Sequence, residues 1–387
     1  MKVLHIVASR SRRGAEVFAS DLIRALKESA VDQRVSVLRR GSAGIEFDAP
    51  EVPSGRGANP FVNALRALGW RSDWRPDVIQ AHGGEAFKRA VALARIVDAR
   101  VVYRRIGSAP RSLQGGVGRL AFAQLIRRAD VVVTVADAVR EESHALFGLD
   151  PGRVVTIPNG VDPRRITPVR SRLATRRSLG LDPDQPVVMS LGALRWEKDP
   201  MEHLAVMAEV IGRCPSTAHV VVGDGPLRLE MTATIDRLGI GSHVRMLGVR
   251  DDIGDLLGAA DILLFGSRVE GMEGMPAAVI EAGMAGVPVA GYSVAGVPEV
   301  VLNGVTGLLS DPGETTELQR HVERLIVDQH VRARLGAAAR RRCSELYDIT
   351  RIAERYQDIY RTTLSRPRRA RGSTSIRSTT RSAESPR

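Results

Sequence analysis

Short β-branched apolar runs alternate with stretches of helical spacing along most of the chain. In the first half KVLHIVAS, RVSVLRR, DVIQAHG, RVVYRRIG, DVVVTVA and RVVTIPN read as buried strands. Residues 15–29, 86–97 and 118–129 read as helices between them. The second half repeats the alternation with VVMSLGAL, VVVGDG, VRMLG, ILLFGS, VPVAGY and a shorter GLL near Leu308. Helices are predicted there over 200–212, 226–238, 252–259, 276–285, 315–328 and 330–346, and a last one over 350–364 places Ile352, Tyr356, Ile359 and Tyr360 at helical spacing. Such alternation predicts parallel sheets covered by helices. Between Pro163 and Pro186 the pattern lapses into an Arg- and Pro-rich stretch. The expected fold is therefore α/β, with doubly wound domains at 1–165 and 187–349 joined by a connection at 166–186. Ligands of such folds bind beyond the carboxyl ends of the strands, so the cleft between the domains is the expected site.

Composition changes this picture only at the edges. The 387 residues suit two domains, and 43% hydrophobic content suits a folded chain. No apolar run reaches the roughly 18–20 residues that span a bilayer. The opening MKVLHIVAS reads as a buried strand and not a signal peptide, because SRSRRGAE follows with no small-residue cleavage site. Cys214 and Cys343 are too few and too far apart for a disulfide framework or a metal site, so a reducing cytoplasm is expected. Of the net charge of +12, half lies in residues 365–387, which hold seven arginines and one glutamate. With hardly an apolar side chain, this tail is expected to be disordered. Its charge suits an anionic membrane surface, giving an expected peripheral place on the inner face. Nucleic acid is not an expected partner, since no binding motif or aromatic interleaving accompanies the charge.

The chemistry concentrates in EGMEGMPAAVIEAGMAGVPVAG. Glu273 precedes Gly274-Met275-Pro276, and Pro276 suits the first position of a helix. Free amides at that helix start form an anion site, and Glu281 follows eight residues after Glu273. Two carboxylates so placed can bind sugar and ribose hydroxyls while the amides face a diphosphate. Of the two Glu-Gly pairs, that of Glu270 lacks this spacing. LGALRWEKD sets Arg195 and Lys198 on the loop after a strand, where two cations can neutralise a departing diphosphate. Gly223 to Pro226 form a Gly-rich turn from strand to helix. Asp182-Pro183-Asp184 has the shape of a metal-binding Asp-x-Asp, but it stands before a strand and reads as a turn.

In order and spacing these pieces resemble glycosyltransferase family 4 across about residues 1–364. The matching motifs are Gly192, Arg195 and Lys198; Gly223-Asp224-Gly225-Pro226; Leu247-Gly248; Glu273 to Glu281; and Ala295-Gly296-Val297-Pro298-Glu299. The first domain adds IPNGVD from Ile157 and ADVVVTVA from Ala129. The resemblance implies a GT-B architecture of two Rossmann-like domains, with the last helix crossing back to the first. It implies a retaining transferase that moves a hexose-type sugar from a UDP- or GDP-linked donor to a glycan, lipid-linked or small-molecule hydroxyl. Arg195 and Lys198 would bind the diphosphate and Glu281 the ribose. Glu273, with the amides of Gly274 and Met275, would hold the sugar. Gly14, Gly192, Gly225, Leu247 and Pro276 would complete the donor side. The family's front-face mechanism lets the leaving phosphate help deprotonate the acceptor, so no protein nucleophile is needed. Neither a cofactor nor a metal is expected beyond the nucleotide-sugar.

Two departures stand out. Arg13 occupies the place of the first glycine in the family's Gly-Gly-Ala-Glu loop, and Arg104-Arg105 stand where many members carry a histidine. Arg13, Arg105 and His82 of QAHGGEA are the remaining candidates for the acceptor or sugar side. A sugar-nucleotide epimerase or phosphorylase of the same architecture, or a non-catalytic binding subunit, are the alternatives; the few histidines disfavour the epimerase.

Overall fold

The structure, a computed structural model, describes residues 1–11, 14–29, 31–39, 44–52 and 74–367. Its first sheet comprises β1 (Lys2–Val7), β2 (Asp32–Val37), β3 (Val78–His82), β4 (Arg100–Arg105), β5 (Val131–Thr134) and β6 (Val154–Thr156), in the order β2-β1-β3-β4-β5-β6. The second comprises β7 (Val187–Leu191), β8 (Ala218–Val222), β9 (Val244–Gly248), β10 (Ile262–Phe265), β11 (Val289–Tyr292) and β12 (Gly307–Ser310), in the order β12-β11-β10-β7-β8-β9. All the pairings between these strands are parallel. Helices cover both faces, which is why the strands read as unbroken apolar runs and not as alternating ones.

The helix Ile349–Ser365 is last in sequence yet covers the first sheet. Its Ile352, Tyr356 and Tyr360 join Phe18, Val102 and Val133 in one core, and Tyr360 Oη donates to Gln80 Oε1 at 3.2 Å. The connection is more ordered than its sequence suggests, with helices at Pro163–Ile166 and Arg172–Ser178. The second carries no apolar stripe because Arg176 anchors it. That buried guanidinium pairs with Asp261 at 2.8 Å and binds the carbonyls of Asp182, Pro183 and Gln185. The Asp182-Pro183-Asp184 segment is thus a turn held by an arginine.

Three details correct or bound the sequence reading. Pro276 is not the first helical residue: it stands extended (φ −74°, ψ 120°) as the N-cap of the helix Ala277–Ala285. The tail expected from Ser365 loses its first residue to the last helix, and from Arg368 onward it lies outside the described residues. Arg13 lies outside them as well. Among the described residues no helix is long and apolar enough to cross a membrane.

The domains meet along a seam of backbone contacts. A Cβ on Gly107 would lie 2.3 Å from the carbonyl oxygen of Met272, and one on Gly274 would lie 2.2 Å from that of Ile106. Only glycine allows the end of β4 and the loop after β10 to approach so closely. Glu299 crosses the same seam. Its Oε1 accepts from the amides of Asp137 and Ala138 at 2.7 and 3.3 Å, capping the helix Asp137–Phe147 of the other domain.

Candidate functional site

A cleft of about 450 Å³ opens between the domains, at the carboxyl ends of the strands. Gly14, Glu16 and His82 line it from one domain, and Arg195, Lys198 and Glu273 from the other. The second-domain wall is built from two loops that hold each other. Gly192 donates to the Val222 carbonyl at 3.0 Å and Leu194 to the Asp224 carbonyl at 3.0 Å. The turn requires glycine at 223, where φ is 132° and a Cβ would fall 1.8 Å from the Gly192 oxygen. This knit fixes the short helical turn Trp196–Lys198 that aims the cations.

Lys198 Nζ donates to Glu273 Oε2, and Ser267 Oγ donates to the same oxygen at 3.0 Å. Ser267 is buried, so Glu273 is held from below while its face toward the cleft stays open. Arg195 is half-exposed and pairs only with its neighbour Glu197 at 3.2 Å among the ion pairs described. Partial burial works against the Glu197 charge, but the bond from Arg195 holds its pKa below the usual carboxylate value. An exposed pair of this kind is weak, leaving Arg195 available to an anion.

Glu281 is not free. Its Oε1 accepts from Arg165 Nη2, and Arg165 Nε lies 3.1 Å from Asp21 Oδ2 on the first helix, Gly14–Lys27. This one arginine therefore ties the first domain, the connection and the second domain together. Burial pushes the Asp21 carboxyl up to about 6, with Arg165 acting against the shift. A second tie runs through Asn159 of the IPNGVD stretch. Its Oδ1 accepts from buried Arg104, and its Nδ2 donates to the Met275 carbonyl. The Arg104 guanidinium carbon sits 3.7 Å above the Phe18 ring.

The structure thus gathers Gly14, His82, Arg195, Lys198 and Glu273 on one cleft. Gly192 shares a smaller cavity with Lys198 behind it. Gly225 lies against Leu194, where a Cβ would meet the Leu194 oxygen at 2.4 Å. Leu247 is half-buried near the end of β9, and Gly274 and Met275 belong to the seam. Arg105 is a correction to the sequence reading. It points away to the helix Asp137–Phe147, bonding Glu142, Ser143 and the Val139 carbonyl, with its guanidinium 5.2 Å from the Phe147 ring. Strand alternation sends Arg104 to the opposite face. Sequence reasoning missed Ser267, Glu16, Arg165 and Asp21. Ser267, Arg165 and Asp21 stand in no distinctive spacing, whereas Glu16 closes the Arg13-Gly14-Ala15-Glu16 loop and Asn159 lies inside IPNGVD.

Comparison with known proteins agrees with this geometry. Residues 12–165 match the family described as Glycosyltransferase Family 4, and residues 171–342 that described as Glycosyl transferases group 1. The N-acetyl-alpha-D-glucosaminyl L-malate synthase of Bacillus anthracis is 27% identical over 236 residues, covering 61% of this chain and only 60% of that relative's length. A GDP-mannose-dependent alpha-(1-6)-phosphatidylinositol monomannoside mannosyltransferase of Mycobacterium tuberculosis is 26% identical, covering 80% of this chain and 88% of its own. Among solved structures, Anabaena Alr3699/HepE in complex with UDP and glucose superposes with a TM-score of 0.79 at 22% identity, over 94% of this chain and all of that one. This last likeness concerns the fold.

Proposed function

The chain belongs to glycosyltransferase family 4 in its two-domain GT-B form, and we propose that it transfers a hexose-type sugar from a nucleoside-diphosphate sugar to a hydroxyl acceptor, with retention of configuration. The observation that carries this reading is the meeting of Arg195, Lys198 and Glu273 on the cleft opposite Gly14. Arg195 and Lys198 take the diphosphate and offset the charge that grows on it as the glycosidic bond breaks. Glu273 accepts from hydroxyls of the transferred sugar, oriented by Lys198 and Ser267. Glu281, exchanging part of its bond to Arg165, takes the ribose. The leaving phosphate assists removal of the acceptor proton, so the protein supplies positioning and electrostatics and no nucleophile.

Both a GDP-mannose-dependent relative and a UDP-bound structural neighbour are compatible with the donor class, and the base stays UDP or GDP. The acceptor class spans small molecules, glycans and lipid-linked glycans, as the names of the relatives do. For a lipid-linked acceptor, the basic tail and the exposed Val117 and Leu120 on the helix Gly116–Ile126 favour contact with an anionic membrane. Binding to acidic vesicles that survives deletion of residues 365–387 would end the tail's part in it. The reaction is proposed to need no metal or cofactor; loss of turnover in EDTA, restored by magnesium, would sink that.

The test is thermal stabilisation by nucleoside diphosphates and their sugars, in the wild type and in Arg195→Ala/Lys198→Ala. A shift with one diphosphate that the double variant loses supports the donor site. No shift with any of them favours a non-catalytic relative.

A further inference from the structure

Four polar groups form a directional chain from the first helix to the cleft. Gln33 Nε2 donates to the Ile23 carbonyl at 3.0 Å, which fixes the amide so that Oε1 faces His5. That oxygen can only accept, so the 3.0 Å contact with His5 Nε2 places a proton on Nε2. His5 is fully buried with no carboxylate in contact among the described residues, and burial lowers its pKa to about 4, so the ring is neutral and its Nδ1 is an acceptor. His82 Nε2 lies 3.2 Å from that nitrogen and must donate to it. Burial, then His5 and the Arg104 cation, hold His82 well below the ordinary imidazole value, so its ring is neutral too. Its remaining nitrogen therefore carries a bare lone pair.

His82 Nδ1 is buried and has no hydrogen-bond partner among the described residues, and His82 is one of the residues that line the cleft. The charged group that acts on the ring is Arg104 from β4; Glu16, from the first helix, lines the same cleft and accepts from Ser9 at 3.2 Å. Arg104 Nε and Nη1 also lack partners, but they belong to a side chain held over Phe18 and bonded to Asn159. Beside His82 the helix Gly84–Val97 begins with no side-chain cap on Gly83, and Gly83 and Gly84 line the cleft. A lone pair next to uncapped helix amides matches a group that both donates and accepts. A hydroxyl does so. A carboxylate or sulfate cannot donate, and would set its own lone pairs against that of Nδ1.

Resting on the transferase reading above, we infer that His82 Nδ1 receives the hydrogen of a neutral hydroxyl on the acceptor, in a tautomer imposed by the Ile23–Gln33–His5 relay. His82 is then a binding residue that sorts acceptors. It presents a polyol or sugar hydroxyl to the reaction and rejects an anionic group at that point.

The test is a two-bond proton–nitrogen correlation spectrum of the full chain labelled with ¹⁵N-histidine, at neutral pH and with UDP or GDP present. His82 is assigned by loss of its signals in His82→Asn or, should that variant fold poorly, by its contact with the Phe18 ring. The expected result is protonated Nε2 and unprotonated Nδ1, with the Nδ1 signal moving on addition of glucose, myo-inositol or glycerol and staying still with succinate or sulfate. Protonated Nδ1, an imidazolium, a response to the anions alone, or no response to any polyol each overturns the inference. Gln33→Leu removes the acceptor that orients His5, and is expected to raise the acceptor KM about tenfold with the donor KM unchanged. A purely structural role would move both together. The tautomer is read without turnover, so it can fail while diphosphate binding at Arg195 and Lys198 stands, and the reverse.

Discussion

Lys198 and Glu273 hold each other at the mouth of the cleft, the ammonium after β7 donating to the carboxylate after β10. The pair joins the cation expected to meet a diphosphate to the carboxylate expected to meet a sugar. Separating the two roles is the first prediction. Lys198→Ala should weaken nucleoside-diphosphate binding by about 1.5–3 kcal/mol, the usual worth of a bond to a charged group. Glu273→Gln frees Lys198, so diphosphate binding should hold or tighten while kcat falls by about a hundredfold. Titration calorimetry with the diphosphate and initial rates with its sugar separate the effects. Equal loss in both assays for both variants would remove the division of labour.

Asn159 stands between a buried cation and the sugar loop. Asn159→Ala leaves Arg104 with no side-chain acceptor there and releases the Met275 carbonyl. The expected destabilisation is about 2 kcal/mol, because a buried charged donor is left without its acceptor. Urea unfolding measures it, and donor-sugar affinity should drop more than diphosphate affinity.

The seam between Gly107 and Gly274 admits no side chain. Gly274→Ala would place a methyl 2.2 Å from the Ile106 oxygen and 2.8 Å from Val135, forcing the loop off the first domain. Overpacking should cost about 1–3 kcal/mol, with turnover reduced further because Glu273 is the adjacent residue. Wild-type rates in Gly274→Ala would show that the close approach has no catalytic consequence.

Stability should fall on acidification through the imidazole range. His5 and His203 are lowered to about 4 and His219 to about 3, each first by burial, and His82 lies well below its ordinary value. The unfolded chain takes up protons below about 6.5 that these buried rings refuse, so their contribution is complete above that pH and is lost towards pH 4. Asp21 runs the other way. Its carboxyl is raised to about 6, so its folded charge is a cost that appears between pH 4 and 6. Asp21→Asn should therefore gain stability relative to the wild type over that window and level off above it. Urea midpoints at several pH values give both trends, and a flat difference between the two proteins would refute the second.

The sequence by itself determined the strands and their order along the chain. Buried parallel strands must be continuous β-branched runs, and the helices between them must keep a period near 3.6 residues, so both are written locally. It also marked the loops after β7, β8, β9 and β10, because tight turns and anion sites call for Gly, Pro and charge at set spacings. Tertiary structure decided the rest. Whether Arg104 or Arg105 joins Phe18 and Asn159 depends on which face of β4 the first and last helices cover, and one residue of register reverses it. Glu281 finds Arg165 and Asp21 from two other elements, and the tautomer of His82 is set across β2, β1 and β3, which lie side by side only once the sheet is ordered. Periodicity is a property of neighbours in sequence, whereas the partner of a buried charge or lone pair is chosen by packing among distant segments.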